Sequence, residues 1–465
     1  MTIARREFLL ASAALGVGMF RSARAVTAAL PKDADVVVIG GGASGIAAAR
    51  RVIAANRKVI VLEATDRVGG RCQTDLASFG VPFDRGARWI YSQDSNPVAR
   101  LARSVGAEIY AAPQTQKIRI GQRNARSGEV EDYLTSLVRT NRSIQDASHG
   151  KSDVAAVTAL PNDLGPWPAT LAFALGPAAI GKDLKDVSVV DLARAEPRDA
   201  AAFCRQGLGT LVSKLADPVP VALSTPVTRL SWGGRALQVD TPAGSISPRA
   251  VIVTASTASL NSGGIKFTPD LPKRQLDALA KLGLGSYDHI ALELAGNPLG
   301  LQRDDVIVEQ SDSDRTALLL ANINGSAICS VDVGGSFGRD LSAQGADAMV
   351  AFAIEWLTKL YGSDIKATLK RRMATRWNAA PYVGGAMSVA AVGNQGARKI
   401  LMEPLNGVFF AGEAVHEALW GTVHGAWESG ERAAEAALRR LGAIKEPEPA
   451  PPPRKGRRSR GAAPS

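Results

Sequence analysis

The sequence predicts an α/β protein built around a parallel, Rossmann-type sheet, with further strand and helix patterns downstream. Three observations carry this. Two short β-branched runs flank a glycine cluster and an Ala-rich stretch near residue 40. Short strand patterns separated by turn signals fill 227–256. A late apolar run ends in Gly412-Glu413 and precedes a long helical pattern.

Composition bounds the alternatives. The 465 residues are 46% hydrophobic and 21% charged, ordinary globular values that exclude wholesale disorder. No apolar run reaches the ~18–20 residues of a membrane-spanning helix. The formal net charge is +11, and residues 1–25 and 446–465 each carry +3 of it, leaving +5 for the body. No basic stripe with interleaved aromatics appears outside the tail, so no nucleic-acid partner is expected. Cys72, Cys204 and Cys329 are scattered. Without CxxC or Cys/His spacing, neither a zinc site nor a disulfide framework is expected. His416 and His424 lack a third ligand, so no metal is expected.

The elements follow in chain order. Arg5-Arg6 precedes an apolar run over 8–20 and a small-x-small pattern, Ala23-Arg24-Ala25. This is the layout of an export signal. It resembles a twin-arginine translocation signal, with Ala4 in place of the usual Ser or Thr and Leu10 in place of Lys. The expectation is a signal peptide over 1–25, a periplasmic destination and the twin-arginine translocation machinery as a partner. That route moves folded protein, which suits a cofactor loaded beforehand.

Residues 35–39 and 58–62 read as buried parallel strands around a helix at 46–55. Between them stand Gly40, Gly42 and Gly45 in GxGxxG spacing, and Glu63 closes the second strand. The first glycine permits a tight turn, the second lets backbone approach a pyrophosphate, and the third lets helix pack on strand. Ala43 and Ser44 open the helix, whose free N–H groups favour an anion. Glu63 would accept from a ribose. With strand, helix, strand and acid all in place, the pattern reads as Rossmann-type dinucleotide binding.

Ala64 and then Asp66-Arg67-Val68-Gly69-Gly70-Arg71 come next. A second glycine pair with a flanking Arg suits a further pyrophosphate contact. From this segment the chain resembles the flavin-containing amine oxidase superfamily, whose members carry an RxGGR element after the acid. The resemblance implies FAD, with Gly70 and Arg71 among its contacts. It continues through Phe83-Asp84-Arg85-Gly86-Ala87-Arg88-Trp89-Ile90, similar to the strand that passes beside the isoalloxazine in that family. It assigns Val227 to the adenine end. It also implies that Gly412-Glu413 meets the ribityl chain and that Thr422-Val423, opening a helix through about 441, points N–H groups at the flavin.

The organisation that the resemblance implies is a Rossmann-type FAD-binding domain built from discontinuous segments, 33–89, 205–270 and 398–441, an interleaved substrate domain of mixed sheet and helices over 90–204 and 271–397, and a disordered basic tail over 446–465. Strands are expected at 290–294 and 327–333. The tail reads as solvated, or as contacting anionic headgroups.

Three positions depart from the family pattern. His289, in Gly285-Ser286-Tyr287-Asp288-His289, takes the place of a flavin-adjacent Lys. It reads either as a strand-capping His or as a titratable group that deprotonates an amine or holds a water. Met387 and Thr422 stand where two aromatics usually flank the substrate nitrogen. Trp377, Tyr382 and Trp420 rebuild an aromatic wall or simply pack the core. Ala386 replaces the Cys that holds flavin covalently in mitochondrial-type members, so FAD is expected to be noncovalent.

The expected reaction is oxidation of an amine C–N bond by hydride transfer to flavin, giving an imine that hydrolyses. His289, Trp377 and Trp420 are the candidate catalytic residues. The partners are a small amine and molecular oxygen, or a periplasmic electron carrier in a dehydrogenase of the same fold. A desaturase acting on a C–C bond and a noncatalytic FAD-binding protein remain open beside these.

Overall fold

The computed structural model describes residues 30–31, 33–198 and 201–445. The export signal at 1–25 and the tail at 446–465 lie outside the described residues.

A five-stranded parallel sheet has the order Val408–Phe410, Ala250–Val253, Val36–Ile39, Val59–Leu62, Val221–Ala222. Val36 pairs with Val59 on one side and Ala250 on the other, and Val251 pairs with Val408. The three central strands are buried at every residue. Both faces are covered, which is why these strands read as continuous apolar runs rather than alternating ones.

On one face lie the helices Ala43–Ala54 and Val423–Arg440. Ala47, Ala48, Ala433, Ala434 and Ala437 share one buried cluster there. The two backbones nearly touch: a Cβ on Gly430 would stand 2.1 Å from the Ser44 carbonyl oxygen. The other face packs under a meander of Arg229–Ser231, Gln238–Thr241 and Gly244–Ile246. The chain therefore leaves the sheet after Val221–Ala222, makes the meander, and returns as Ala250–Val253, as the turn signals at 233–234 and 242–244 predict.

The second sheet has seven strands, in the order Leu369–Ala374, Tyr287–Leu294, Ile328–Gly334, Leu318–Leu320, Val306–Glu309, Gln116–Ile120, Arg123–Asn124. Strand alternation places Ile290, Leu292 and Leu294 in a cluster with Trp356 and Leu357 of helix Ala346–Tyr361. Tyr287 and His289 fall on the opposite face of the same strand, where both line a cavity.

Candidate active site

A cavity of about 500 Å³ runs from the first glycine turn to the seven-stranded sheet. Its first part is a backbone cradle. Gly40 has φ +105°, a conformation that favours glycine. A Cβ on Gly45 would stand 1.9 Å from the Gly40 carbonyl oxygen, so close helix–strand contact requires glycine there. A Cβ on Gly42 would meet no protein atom within 4 Å, so this backbone is open to the cavity. Helix Ala43–Ala54 starts at Gly42 with neither a side-chain cap nor an acidic residue in its first turn. Its N–H groups at Ala43 and Ser44 border the same space, a setting made for an anion.

The acid after the second strand is held in place. Glu63 Oε2 accepts from the Gly41 N–H at 2.6 Å, and Oε1 accepts from the Thr65 N–H and hydroxyl. The second glycine pair abuts the first turn: Gly69 N–H donates to Gly41 at 2.8 Å, and a Cβ on Gly70 would lie 3.3 Å from Gly42 Cα. Arg71 donates to the Ala386 carbonyl and pairs with Glu413 at 2.8 Å. Ala64, Val227 and Gly412 also border the cavity.

Glu413 is buried and accepts from Ser388 and from the Gly421 N–H. Burial would raise its carboxyl, but Arg71, Ser388 and Arg398 outweigh that and hold it below its usual range. The Thr422 hydroxyl accepts from the Gly425 N–H and caps the last helix, leaving the Val423 end of that helix on the cavity wall. An open glycine backbone, an uncapped helix start and an oriented carboxylate together fit a dinucleotide.

The second part of the cavity begins where Gly86 passes Arg71. A Cβ on Gly86 would stand 2.0 Å from the Arg71 carbonyl oxygen and 3.0 Å from Trp377. Ala87, Arg88 and Trp89 follow along the wall. Trp377 donates its indole N–H to the Arg85 carbonyl at 2.7 Å. This bond ties the segment to Trp377, which itself borders the cavity.

His289 is the centre of a buried charged network. Its Nδ1 lies 2.7 Å from Asp332 Oδ1 and its Nε2 lies 3.0 Å from the Gly86 carbonyl. The Gly86 carbonyl and the Asp332 carboxylate thus engage one ring nitrogen each. Asp332 also accepts from Ser330 at 2.5 Å and from Tyr287 at 3.0 Å, with Arg88 at 3.8 Å. Burial would raise the Asp332 carboxyl, but Arg88 and then His289 outweigh it and hold it below its usual range. His289 thus borders the cavity with both ring nitrogens taken up by protein partners.

The expectation of Trp420 as a catalytic residue is corrected. It is fully buried and does not border the cavity. It packs between the guanidinium groups of Arg198 and Arg398, whose Cζ atoms lie 5.2 and 4.7 Å from its ring. Arg398 makes two hydrogen bonds to Asp191, at 2.9 and 2.8 Å, and both are buried. Met387 and Thr422 do border the cavity, and no aromatic residue replaces them at those two positions.

Sequence reasoning missed Asp332, Arg198 and Tyr91. Asp332 stands directly opposite His289 in the strand register. Only a correct pairing of two strands separated by four decades of sequence reveals it.

Fold and site together define a dinucleotide-binding enzyme with a charged chamber beyond the cradle. Residues 43–192 and 185–438 match the flavin containing amine oxidoreductase family, and the chain belongs to it. Membership makes flavin the group for the cradle, with FAD the dinucleotide that fits it. The chain is 28% identical over 457 residues to lysine-specific histone demethylase 2 of Homo sapiens, matching 87% of this chain but 54% of that protein, so it spans about half of that relative's length. It is 27% identical over 445 residues to probable polyamine oxidase 4 of Arabidopsis thaliana, with 88% of both chains matched. Among solved structures, cyclohexylamine oxidase from Brevibacterium oxydans IH-35A superposes with a TM-score of 0.75 at 21% identity, covering 88% of this chain and 100% of that one. Putrescine oxidase bound to putrescine superposes at 0.75 with 16% identity, covering 87% and 99%. At these identities the two structures report a shared fold.

Proposed function

We propose that the protein oxidises a primary or secondary amine at the carbon bearing nitrogen and passes the electrons to oxygen. The observation that carries this is one continuous cavity, joining a dinucleotide cradle to a chamber walled by His289, Tyr287, Trp377, Met387 and Thr422. The C–H bond on that carbon breaks with its electron pair leaving as hydride, and nitrogen loses a proton. The resulting imine takes up water to give a carbonyl compound and ammonia or a smaller amine. Oxygen takes two electrons and two protons and becomes hydrogen peroxide. Bound FAD would supply the two-electron acceptor between amine and oxygen.

The chain's own residues supply the electrostatics. The Arg88 guanidinium beside the chamber disfavours a bound ammonium, which keeps the amine neutral and its lone pair available. The same charge, with the helix start at Val423, favours negative charge at the cavity wall. Gly40, Gly42, Ala43, Ser44, Glu63 and Val227 would hold the adenosine and pyrophosphate half. Arg71, Gly86, Ala87, Glu413 and Val423 would hold the flavin half. The division into segments 33–89, 205–270 and 398–441 against 90–204 and 271–397 belongs to the same proposal. What supports it is that the parallel sheet draws on the first set and the seven-stranded sheet on the second.

FAD is proposed to be noncovalent. Ala386 offers no nucleophile, and burial pushes the nearby Cys72 thiol up to about 12, leaving it protonated. Acid precipitation that leaves flavin on the protein would refute this. Export through the twin-arginine route is proposed on Arg5-Arg6 and the run that follows them, and a lysine pair in their place should trap the protein in the cytoplasm.

Measuring oxygen consumed, peroxide formed and carbonyl product per amine tests the acceptor. Equal amounts support oxygen. Turnover with a dye and none with oxygen would favour a dehydrogenase feeding an electron carrier.

A further inference from the structure

The chamber's far wall carries a charge that a site for polyamines would avoid. Arg198 borders the cavity, and its Nη2 donates to the Trp420 carbonyl at 3.1 Å while Nη1 donates to the Ala179 carbonyl. A Cβ on Gly421 would stand 3.1 Å from that Nη2 and 3.3 Å from Met387 Cβ. The guanidinium therefore lies beside Met387 and Thr422, at the substrate end. Among the described residues no carboxylate lies within 4 Å of it. Glu413, whose charge it does feel, is already paired with Arg71 and Ser388.

Tyr91 lies against the same group, with its ring centre 5.9 Å from Arg198 Cζ. Burial raises the Tyr91 phenol, so it stays an O–H donor. Among the described residues the acidic groups on the cavity wall are Glu63 and Asp66 in the cradle and Glu413, which accepts from the Gly421 N–H and is already engaged by Arg71 and Ser388. Among the described residues the substrate end thus offers a cation and a phenol and no unengaged carboxylate for a second ammonium. Ala178, Ala179, Met387 and Val383 make the rest of that end apolar.

We infer that Arg198, with Tyr91, binds a carboxylate carried by the substrate, so that the amine oxidised is an apolar α-amino acid rather than a polyamine. This rests on the amine-oxidation reading above. The guanidinium retains N–H groups beyond the two given to backbone carbonyls, and a carboxylate is the planar acceptor that such a fork recognises. The balanced reaction is unchanged: the amino acid loses hydride and a proton, its imino acid takes up water, and a 2-oxo acid, ammonia and peroxide result.

Matched pairs test it on the FAD-loaded protein. L-leucine and isopentylamine differ only by the carboxylate, as do L-phenylalanine and 2-phenylethylamine. The amino acids should reduce the flavin anaerobically about tenfold to a hundredfold more efficiently than their partners, with putrescine poorer still. Arg198→Met should erase that preference, and Arg198→Lys should restore part of it. Benzoate binding, read by calorimetry without turnover, should weaken about tenfold or more in Arg198→Met. Equal efficiency within each pair, or a preference that survives Arg198→Met, overturns the inference. So does benzoate affinity that is the same in both proteins. If no amine of either class reduces the flavin while benzoate binding still depends on Arg198, the carboxylate site stands and the amine-oxidation reading falls.

Discussion

Replacing Asp332 with Asn changes one buried charge and nothing in the volume. In the native site, four donors converge on this carboxylate: His289 Nδ1 at 2.7 Å, Ser330 Oγ at 2.5 Å, the Tyr287 hydroxyl at 3.0 Å and Arg88 Nη2 at 3.8 Å. The Asn amide group would confront one side of that array with a donor, stranding at least one partner at ~1–3 kcal/mol. It would also leave the buried Arg88 guanidinium without its anion. Removing one member of a buried pair costs ~3–5 kcal/mol. We therefore expect Asp332→Asn to lose ~3–5 kcal/mol in denaturant unfolding of the FAD-loaded protein, followed by tryptophan and flavin fluorescence. His289→Gln removes one of the carboxylate's close partners, so the double variant should recover ~1.5 kcal/mol or more of the summed cost. A loss under ~1 kcal/mol in Asp332→Asn, or strict additivity in the pair, would refute the buried His289–Asp332 contact.

Other outcomes follow from the same geometry. Gly42→Val should fold normally by circular dichroism yet retain little FAD, because its side chain would enter only the cradle. Gly45→Ala should instead lower stability by ~1–3 kcal/mol, through contact with the Gly40 carbonyl. Arg398→Met should cost ~3–5 kcal/mol by stranding buried Asp191, and the test is its unfolding midpoint. The depressed carboxyls of Asp332 and Glu413 give stability that is complete above their ordinary values of 3.8 and 4.5 and drains as pH falls through their lower folded values. Unfolding free energy should therefore drop with acidification in that range. Asp332→Asn should flatten the drop, and an unchanged slope would contradict the assignment.

The cradle was legible in the sequence because its parts are contiguous. Gly40, Gly42, Gly45 and Glu63 lie within one strand–helix–strand unit, where spacing alone fixes which backbone atoms meet. The late Gly412-Glu413 and Thr422-Val423 needed a resemblance to join them to it, since nothing local says that two segments hundreds of residues apart share a sheet. The chamber was less legible for the same reason. His289 was singled out, but what its ring meets depends on Asp332 across a strand pair and on the Gly86 carbonyl from another segment. Trp420 was misread because a residue two positions from a cavity-lining Thr on an irregular strap has no periodicity to tell which way it faces. Arg198 carries no motif at all. It matters only because the strap beside Gly421 turns its guanidinium toward the chamber.

The most direct test of amine oxidation is the visible spectrum of the FAD-loaded protein during anaerobic addition of amines, amino acids included. Loss of the oxidised flavin bands with one class of amine, and their return when oxygen is admitted, is the predicted result. Unchanged flavin bands with every amine, in protein whose flavin dithionite still reduces, would contradict it.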